Sequence, residues 1–263
     1  MTSSPSLSDM SQGRRFARAE VWIVLALGLG QSAVYAIVAL IARLTAGKPL
    51  SQQGAALNAA QASREWLDAT YQFLGNLFPL AVVALAMYLL WRDGSDPFRR
   101  VGLDFRAPRF DVSRMLLLVV CVGIPGIGVY VLGRLLGLTV AVQAAELSQY
   151  WWTIPMLLLA AARAALEEEV VLLGFLWIRP RGLGWRPGTL IVLLALLRGS
   201  YHLYQGPGPF FANVAMGLIF GWCCARWGRV MPLVLAHFAF DAIQFVGYPL
   251  AVDLWPAVFG PPA

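Results

Sequence analysis

The sequence predicts an all-α fold, a polytopic bundle of seven or eight membrane-spanning helices, and three observations carry that prediction. Of 263 residues, 59% are hydrophobic and 13% charged, whereas a soluble domain holds roughly 45–50% apolar and about 25% charged residues. Uncharged apolar runs recur along the chain, long enough for the about 20 helical residues that cross a hydrocarbon core of about 30 Å. The runs are continuous and do not alternate with period two, which excludes an outer-membrane barrel.

Residues 1–13 are Ser-rich with one charge, and 1–19 is expected to be a disordered cytoplasmic tail. Arg14, Arg15 and Arg18 precede an apolar run over 21–42, too long for a signal-peptide core of about 7–15 residues. Further spans are expected at 70–91, 115–133, 153–178, 189–205, 208–225 and 230–252. The stretch 249–263 holds an apolar patch suited to the interface, or to an eighth span. No internal repeat is visible, and the polar stretches 44–69 and 92–114 are too short for a core of their own. Residues 20–263 therefore form one membrane domain.

Orientation follows from Lys and Arg, which concentrate in cytoplasmic loops. The tail, the loop with Arg92, Arg99, Arg100, Arg106, Arg109 and Arg114, the loop with Arg179, Arg181 and Arg186, and the pair Arg226 and Arg229 hold fourteen; the opposite side holds Lys48, Arg64 and Arg134. This predicts a multi-pass protein of the plasma membrane with its N-terminus in the cytoplasm. The net charge of +6 does not indicate nucleic acid, because the arginines form no continuous stripe. They suit topology and contact with anionic lipid, above all along 92–114. Cys121, Cys223 and Cys224 all lie in apolar runs, where small packing residues are expected and not a disulfide framework.

Ionisable side chains within spans cost about 2.5–3.5 kcal/mol each on insertion scales, so each needs a reason. Here they are Arg163, Glu167, Glu168, Glu169, Arg198, His202, His237 and Asp241, and they include both histidines of the chain. Residues four apart share a helix face. Arg163 thus faces Glu167, Arg198 precedes His202 by one turn, and His237 precedes Asp241 by one turn. Consecutive helical residues diverge by about 100°, so the three glutamates cannot all serve one partner. If their helices pack together, two imidazoles and a carboxylate meet within the membrane, a set suited to activating water for attack on a carbonyl.

The segments Leu166–Gly174, Ser200–His202 and His237–Asp241 resemble the three motifs of the CPBP family, the CAAX-protease and bacteriocin-processing intramembrane proteases. Those motifs are a Glu pair followed by Arg-Gly, an aromatic residue four before a His, and a His four before Asn or Asp. The resemblance covers roughly residues 100–250, with the motif region at about 153–245. It implies an intramembrane endopeptidase acting on a membrane-associated protein or peptide. Aligned on Gly174, the motif pair is Glu168 and Glu169. The resemblance then implies that Glu168 with His202 activates water, that His237 and Asp241 stabilise the oxyanion or orient its donor, and that Glu169 supports the site. Arg198, Glu167 and Arg163 are expected as supporting residues.

Two positions depart from the pattern: Leu173 stands where the family has Arg, and Arg198 where it has the aromatic residue. Arg198 is expected to supply the missing cation to Glu169 from another helix. Asp241, when ionised, cannot donate a hydrogen bond as Asn would, and is expected to orient His237. No residue here decides between a metal-bound and a glutamate-activated water, and no obligatory metal is expected. Zinc is compatible with these residues, held by Glu168, His202 and His237, although no HExxH motif is present. GxSG and GxGD sites are absent, and Ser200 is expected only to pack or hydrogen-bond. Gly217 and Gly221 form a GxxxG suited to close helix contact, inside the molecule more readily than in a dimer. The competing readings are an inactive membrane scaffold or bacteriocin self-immunity protein, and an ion-coupled transporter; for the last, paired broken spans are missing.

Overall fold

The computed structural model describes residues 7–144 and 150–260, with side chains from residue 11 onward. Each of the seven apolar runs is helical. The first becomes α1 (Leu7–Leu27) and α2 (Leu29–Leu44), bent by 45° at Gly28, where glycine favours a break. The second becomes α3 (Glu65–Leu77) and α4 (Leu80–Trp91), interrupted beside Pro79, which has no N–H to continue the ladder. A short α5 (Pro97–Val101) follows, capped by the Asp96 carboxylate, which accepts from the Phe98 N–H at 3.0 Å.

The third run is α6 (Pro108–Leu118) and α7 (Ile124–Leu135), joined by a π turn over Val119–Gly123. The fourth is α8 (Thr153–Glu169), a π turn over Val170–Phe175, and α9 (Leu176–Gly182). The remaining runs are α10 (Pro187–Ser200), α11 (Pro207–Trp227) and α12 (Met231–Leu254), with α13 (Pro256–Phe259) at the end. One small parallel pairing interrupts the helical architecture: β1 (Gly54–Ala56) beside β2 (Ala141–Gln143), with Ala55 opposite Val142.

Three expectations change. The tail expected to be disordered over 1–19 is helical from Leu7, because Arg14 to Glu20 are nearly all good helix formers that continue the apolar helix backward; residues 1–6 lie outside the described residues. The segment after Trp255 forms a four-residue helix, too short for an eighth crossing. By length and composition, four described helices suffice to cross a membrane, Glu65–Trp91, Pro108–Leu135, Pro207–Trp227 and Met231–Leu254, or five with the bent first pair. With the bent first pair counted as one span, the shortfall from seven lies in two of the three helices that carry the polar cluster. One is laden with Arg163 and three glutamates, and α10, at 14 residues, extends only about 21 Å.

The surface is rich in exposed large apolar side chains such as Trp22, Ile37, Leu132 and Leu250, as expected of a lipid-facing wall. Inside, Val24, Leu90, Val170, Val171, Phe175, Phe220, Leu233 and Ala236 are fully enclosed in one cluster, so the π turn after the glutamates occupies the centre. Gly217 and Gly221 face α10: a Cβ at Gly217 would lie 2.7 Å from Ala195 Cα, and one at Gly221 3.1 Å from Ile191 Cγ2. The GxxxG is thus an internal seam, and any larger residue at Gly217 would push the helix carrying Arg198 outward.

The loops gather at two ends. At one, Glu20 pairs with Arg92 and Arg179, Asp93 with Arg100 and Arg179, and Arg229 with Asp104 and Asp111. These ion pairs tie together all the segments that the arginine count assigns to one side. At the other end, β1 and β2 pair, the Val140 N–H donates to Gln205 O at 3.0 Å, and Phe259 stacks on Tyr130 with ring centroids 5.7 Å apart.

Candidate active site

The last turn of α8, the end of α10 and the first half of α12 bring the polar cluster together. Glu169 lies deepest, with a side chain 0% exposed. Its Oε1 accepts from Arg198 Nη2 and, at 2.7 Å, from His237 Nδ1. Arg198 is equally enclosed and lies over the Phe220 ring, 5.4 Å from the centroid. Leu173, at the position of the family's Arg, is a buried apolar residue whose carbonyl accepts from Cys224 Sγ at 3.4 Å. That carbonyl belongs to the π turn, where i to i−4 bonding is disrupted and carbonyls seek outside donors.

Glu168 sits nearer the lip, with 14% of its side chain exposed. Its Oε2 accepts from the Tyr201 hydroxyl at 2.6 Å and lies 3.8 Å from Arg198 Nη2. His237 Nε2 faces Asp241 Oδ2 at 3.5 Å, loose for a hydrogen bond. The Nδ1–H donated to Glu169 fixes the ring and leaves the Nε2 edge the easier one to turn toward a new partner. Arg163 Nη1 donates to Glu167 Oε2 at 3.0 Å. That pair faces away from Glu169, consistent with the divergence of successive helical residues.

His202 departs from the expected helical register. Helix α10 ends at Ser200, and His202 occupies the turn that follows. Its Nδ1 donates to Arg198 O at 3.0 Å, so the side chain caps a terminal carbonyl of the helix it was expected to extend. A carbonyl only accepts, which places a proton on Nδ1, so that in the neutral ring Nε2 keeps its lone pair. The chain then turns at Gly206, φ +106°, a conformation that glycine adopts without strain, and α11 begins. Ser200 Oγ donates to Leu197 O at 2.7 Å and takes no other described part.

Glu168, Glu169 and His237 each offer one ligand atom within 4.8 Å of the others. His202, expected among possible zinc ligands with Glu168 and His237, is not in this group, because its ring serves the end of α10. The donor types suit a divalent cation, and Glu169 Oε2, buried without a described partner, is the oxygen left open to one. Glu169 Oε1 is already engaged by a guanidinium and an imidazole.

An open groove of about 640 Å³ between α2 and the α3–α4 break meets the edge of this cluster at Tyr201, and none of Glu168, Glu169, His202, His237 and Asp241 lines it. Leu27, Gly28, Pro79 and Val82 line its walls, and Glu167, Tyr201 and Tyr204 its inner end. Two of these residues carry no role in the sequence reading. Tyr201 stands inside the quoted segment Ser200–His202, between two residues that drew attention. Its signal was a phenol adjacent to a motif histidine. Tyr204 had no signal beyond an aromatic residue near a span end.

A model of the family described as type II CAAX prenyl endopeptidase Rce1-like matches residues 150–243, the stretch that carries all three segments. The resemblance read from Glu168, Glu169, His202, His237 and Asp241 is therefore to the family that matches. No curated protein and no solved structure matches the chain.

Proposed function

We propose that the protein is an intramembrane endopeptidase that hydrolyses a peptide bond of a membrane-associated protein or peptide. The observation that carries this reading is the pairing of two carboxylates of unequal burial on one helix. Glu169 is sealed and held by Arg198 and His237, while Glu168 reaches the lip with one oxygen held by Tyr201. The match to the CAAX endopeptidase family supports it.

In this reading Glu168 is the general base. Tyr201 holds Oε2, so Oε1 faces the water and takes its proton as the water oxygen attacks the carbonyl carbon. His202, with its lone pair on Nε2, assists that deprotonation. His237, carrying a proton on each ring nitrogen between the Glu169 and Asp241 carboxylates, turns its Nε2–H from Asp241 to the oxyanion, where a donor in a dry site stabilises developing charge. The proton held by Glu168 then passes to the leaving amine. Arg198 supplies the fixed positive charge that Glu169 requires, and the reaction proceeds without an obligatory metal. All seven helical runs cross the plasma membrane, with the arginine-rich end and the N-terminus in the cytoplasm.

The test is peptide release by the full chain in liposomes. Glu168→Gln and His237→Ala, each shown to be inserted and folded, are expected to lose about 10²–10⁴-fold in rate, and His202→Ala to lose less. A chelator is expected to leave the rate unchanged. Undiminished function in all three folded variants would make the protein a scaffold.

A further inference from the structure

The proposed reaction leaves the outer wall of the lateral groove without a role. Helix α2 forms that wall, and within its apolar sequence stand Gln31 and Ser32, both exposed and both lining the groove. Neither side chain hydrogen-bonds to any described residue. Around them the wall is Tyr35, Ala36 and Ala39, and Val82 of α4 lies opposite. A Cβ at Gly28 would lie 3.1 Å from Val82 Cγ1, so the bend at Gly28 brings the two walls together at one end. The other end opens toward Glu167, Tyr201 and Tyr204.

An unpaired carboxamide at membrane depth is costly unless its occupant brings hydrogen-bonding groups. A lipid acyl chain brings none. A transmembrane helix has already satisfied its backbone internally. An extended segment presents free N–H and C=O groups at regular spacing, and a carboxamide offers one donor and one acceptor side by side to meet them. Gly28 to Ala39 covers about 16 Å of helix, the length of about five extended residues.

We propose that Gln31, assisted by Ser32, hydrogen-bonds the backbone of a substrate segment that lies extended in this groove. The protein thereby selects polypeptides that unwind readily within the membrane over stable helices. The inference rests on the proposed peptidase reading for the direction of travel, toward Glu168, but its test does not depend on hydrolysis.

Ala39→Cys in the groove, with the exposed Cys121 replaced by Ser, gives a trapping site in the full chain in liposomes that also carries Glu168→Gln. The probes are two short apolar peptides with one cysteine each, one rich in Gly and Val, the other locked helical by α-aminoisobutyrate. Disulfide trapping is expected with the first and at least about tenfold less with the second. Gln31→Leu is expected to lower trapping of the first about three- to tenfold. That substitution removes an unpaired polar group from an apolar helix, so misfolding does not account for a loss. Equal trapping of both peptides, or no effect of Gln31→Leu, overturns the proposal. With Glu168 present, trapping without cleavage refutes the peptidase reading alone, and cleavage without trapping refutes the clamp alone.

Discussion

Two networks of arginine and carboxylate hold this protein together, one at the arginine-rich end and one in the core, and they solve opposite problems. At the end, Arg229 binds Asp111 through Nε at 2.9 Å and Nη2 at 2.8 Å, and reaches Asp104 as well. Its side chain is 17% exposed, so water and headgroups share the electrostatic load. In the core, Arg198 is 1% exposed, and the cation is outnumbered by Glu168 and Glu169. Glu169 Oε2 and Arg198 Nη1 are buried with no protein partner. The first network is balanced and joins loops that apolar contact would not fix. The second leaves polar capacity unfilled where polar groups are dear, which suits a site that receives a polar guest.

The largest expected difference between them follows from Arg198. Removing it by Arg198→Ala strands Glu169 with only His237 to bind it, and breaking a buried pair costs about 3–5 kcal/mol. Thermal unfolding in detergent is expected to show that loss together with loss of peptide release. Arg198→Lys is expected to recover part of the stability and little of the activity, since one ammonium cannot reproduce the guanidinium's position over Phe220 and between two carboxylates. Undiminished release by a folded Arg198→Ala would sink the role given to Arg198.

A smaller effect tests the lip of the site. Tyr201→Phe removes the 2.6 Å bond to Glu168 and keeps the ring. The stability change is expected near 1 kcal/mol, with the rate falling about tenfold and the low-pH limb of its profile, which reports the general base, displaced. A fall in rate with an unmoved profile would reduce Tyr201 to a packing residue.

How much of this was legible in the sequence depends on which physical signal each residue gave. Continuous apolar runs revealed seven helices, because burial in lipid demands length. They did not reveal the bend at Gly28 or the break beside Pro79, because hydropathy is blind to direction. The i to i+4 rule found His237 with Asp241 and Arg163 with Glu167, since both pairs lie within unbroken helix. The same rule misplaced His202, because α10 ends at Ser200 and the imidazole caps its last turn. The pairing of Arg198 with Glu169 was readable as a charge argument, a missing cation at Leu173 and a surplus one on another helix. Tyr201 gave only the signal of a phenol beside a motif histidine, which was masked because a phenol near a span end ordinarily marks the interface. The parallel contact of β1 with β2 was not readable, as three-residue strands in polar loops carry no period.

The smallest expected effect belongs to the outer network and sharpens the comparison by its weakness. Arg100 pairs with Asp93 at 2.7 Å, and their side chains are 32% and 30% exposed. Burial opposes ionisation of Asp93, but hydrogen bonds from Arg100 and Arg179 outweigh it and hold the carboxyl below its usual range. A carboxylate depressed on folding lends stability above its unfolded value, about pH 4, and withdraws it as the pH falls through the folded value. The thermal midpoint is therefore expected to be flat from pH 7 to about 4 on this account, and to drop below it. Arg100→Ala is expected to cost at most about 1 kcal/mol, to flatten that acid drop, and to leave the rate of peptide release unchanged in the folded protein. Added salt is expected to mimic the substitution here, because screening reaches exposed pairs, and to leave the Arg198 network untouched. A salt effect on the core network would mean that water enters the site freely, and the distinction between a shared and a sealed charge would fall.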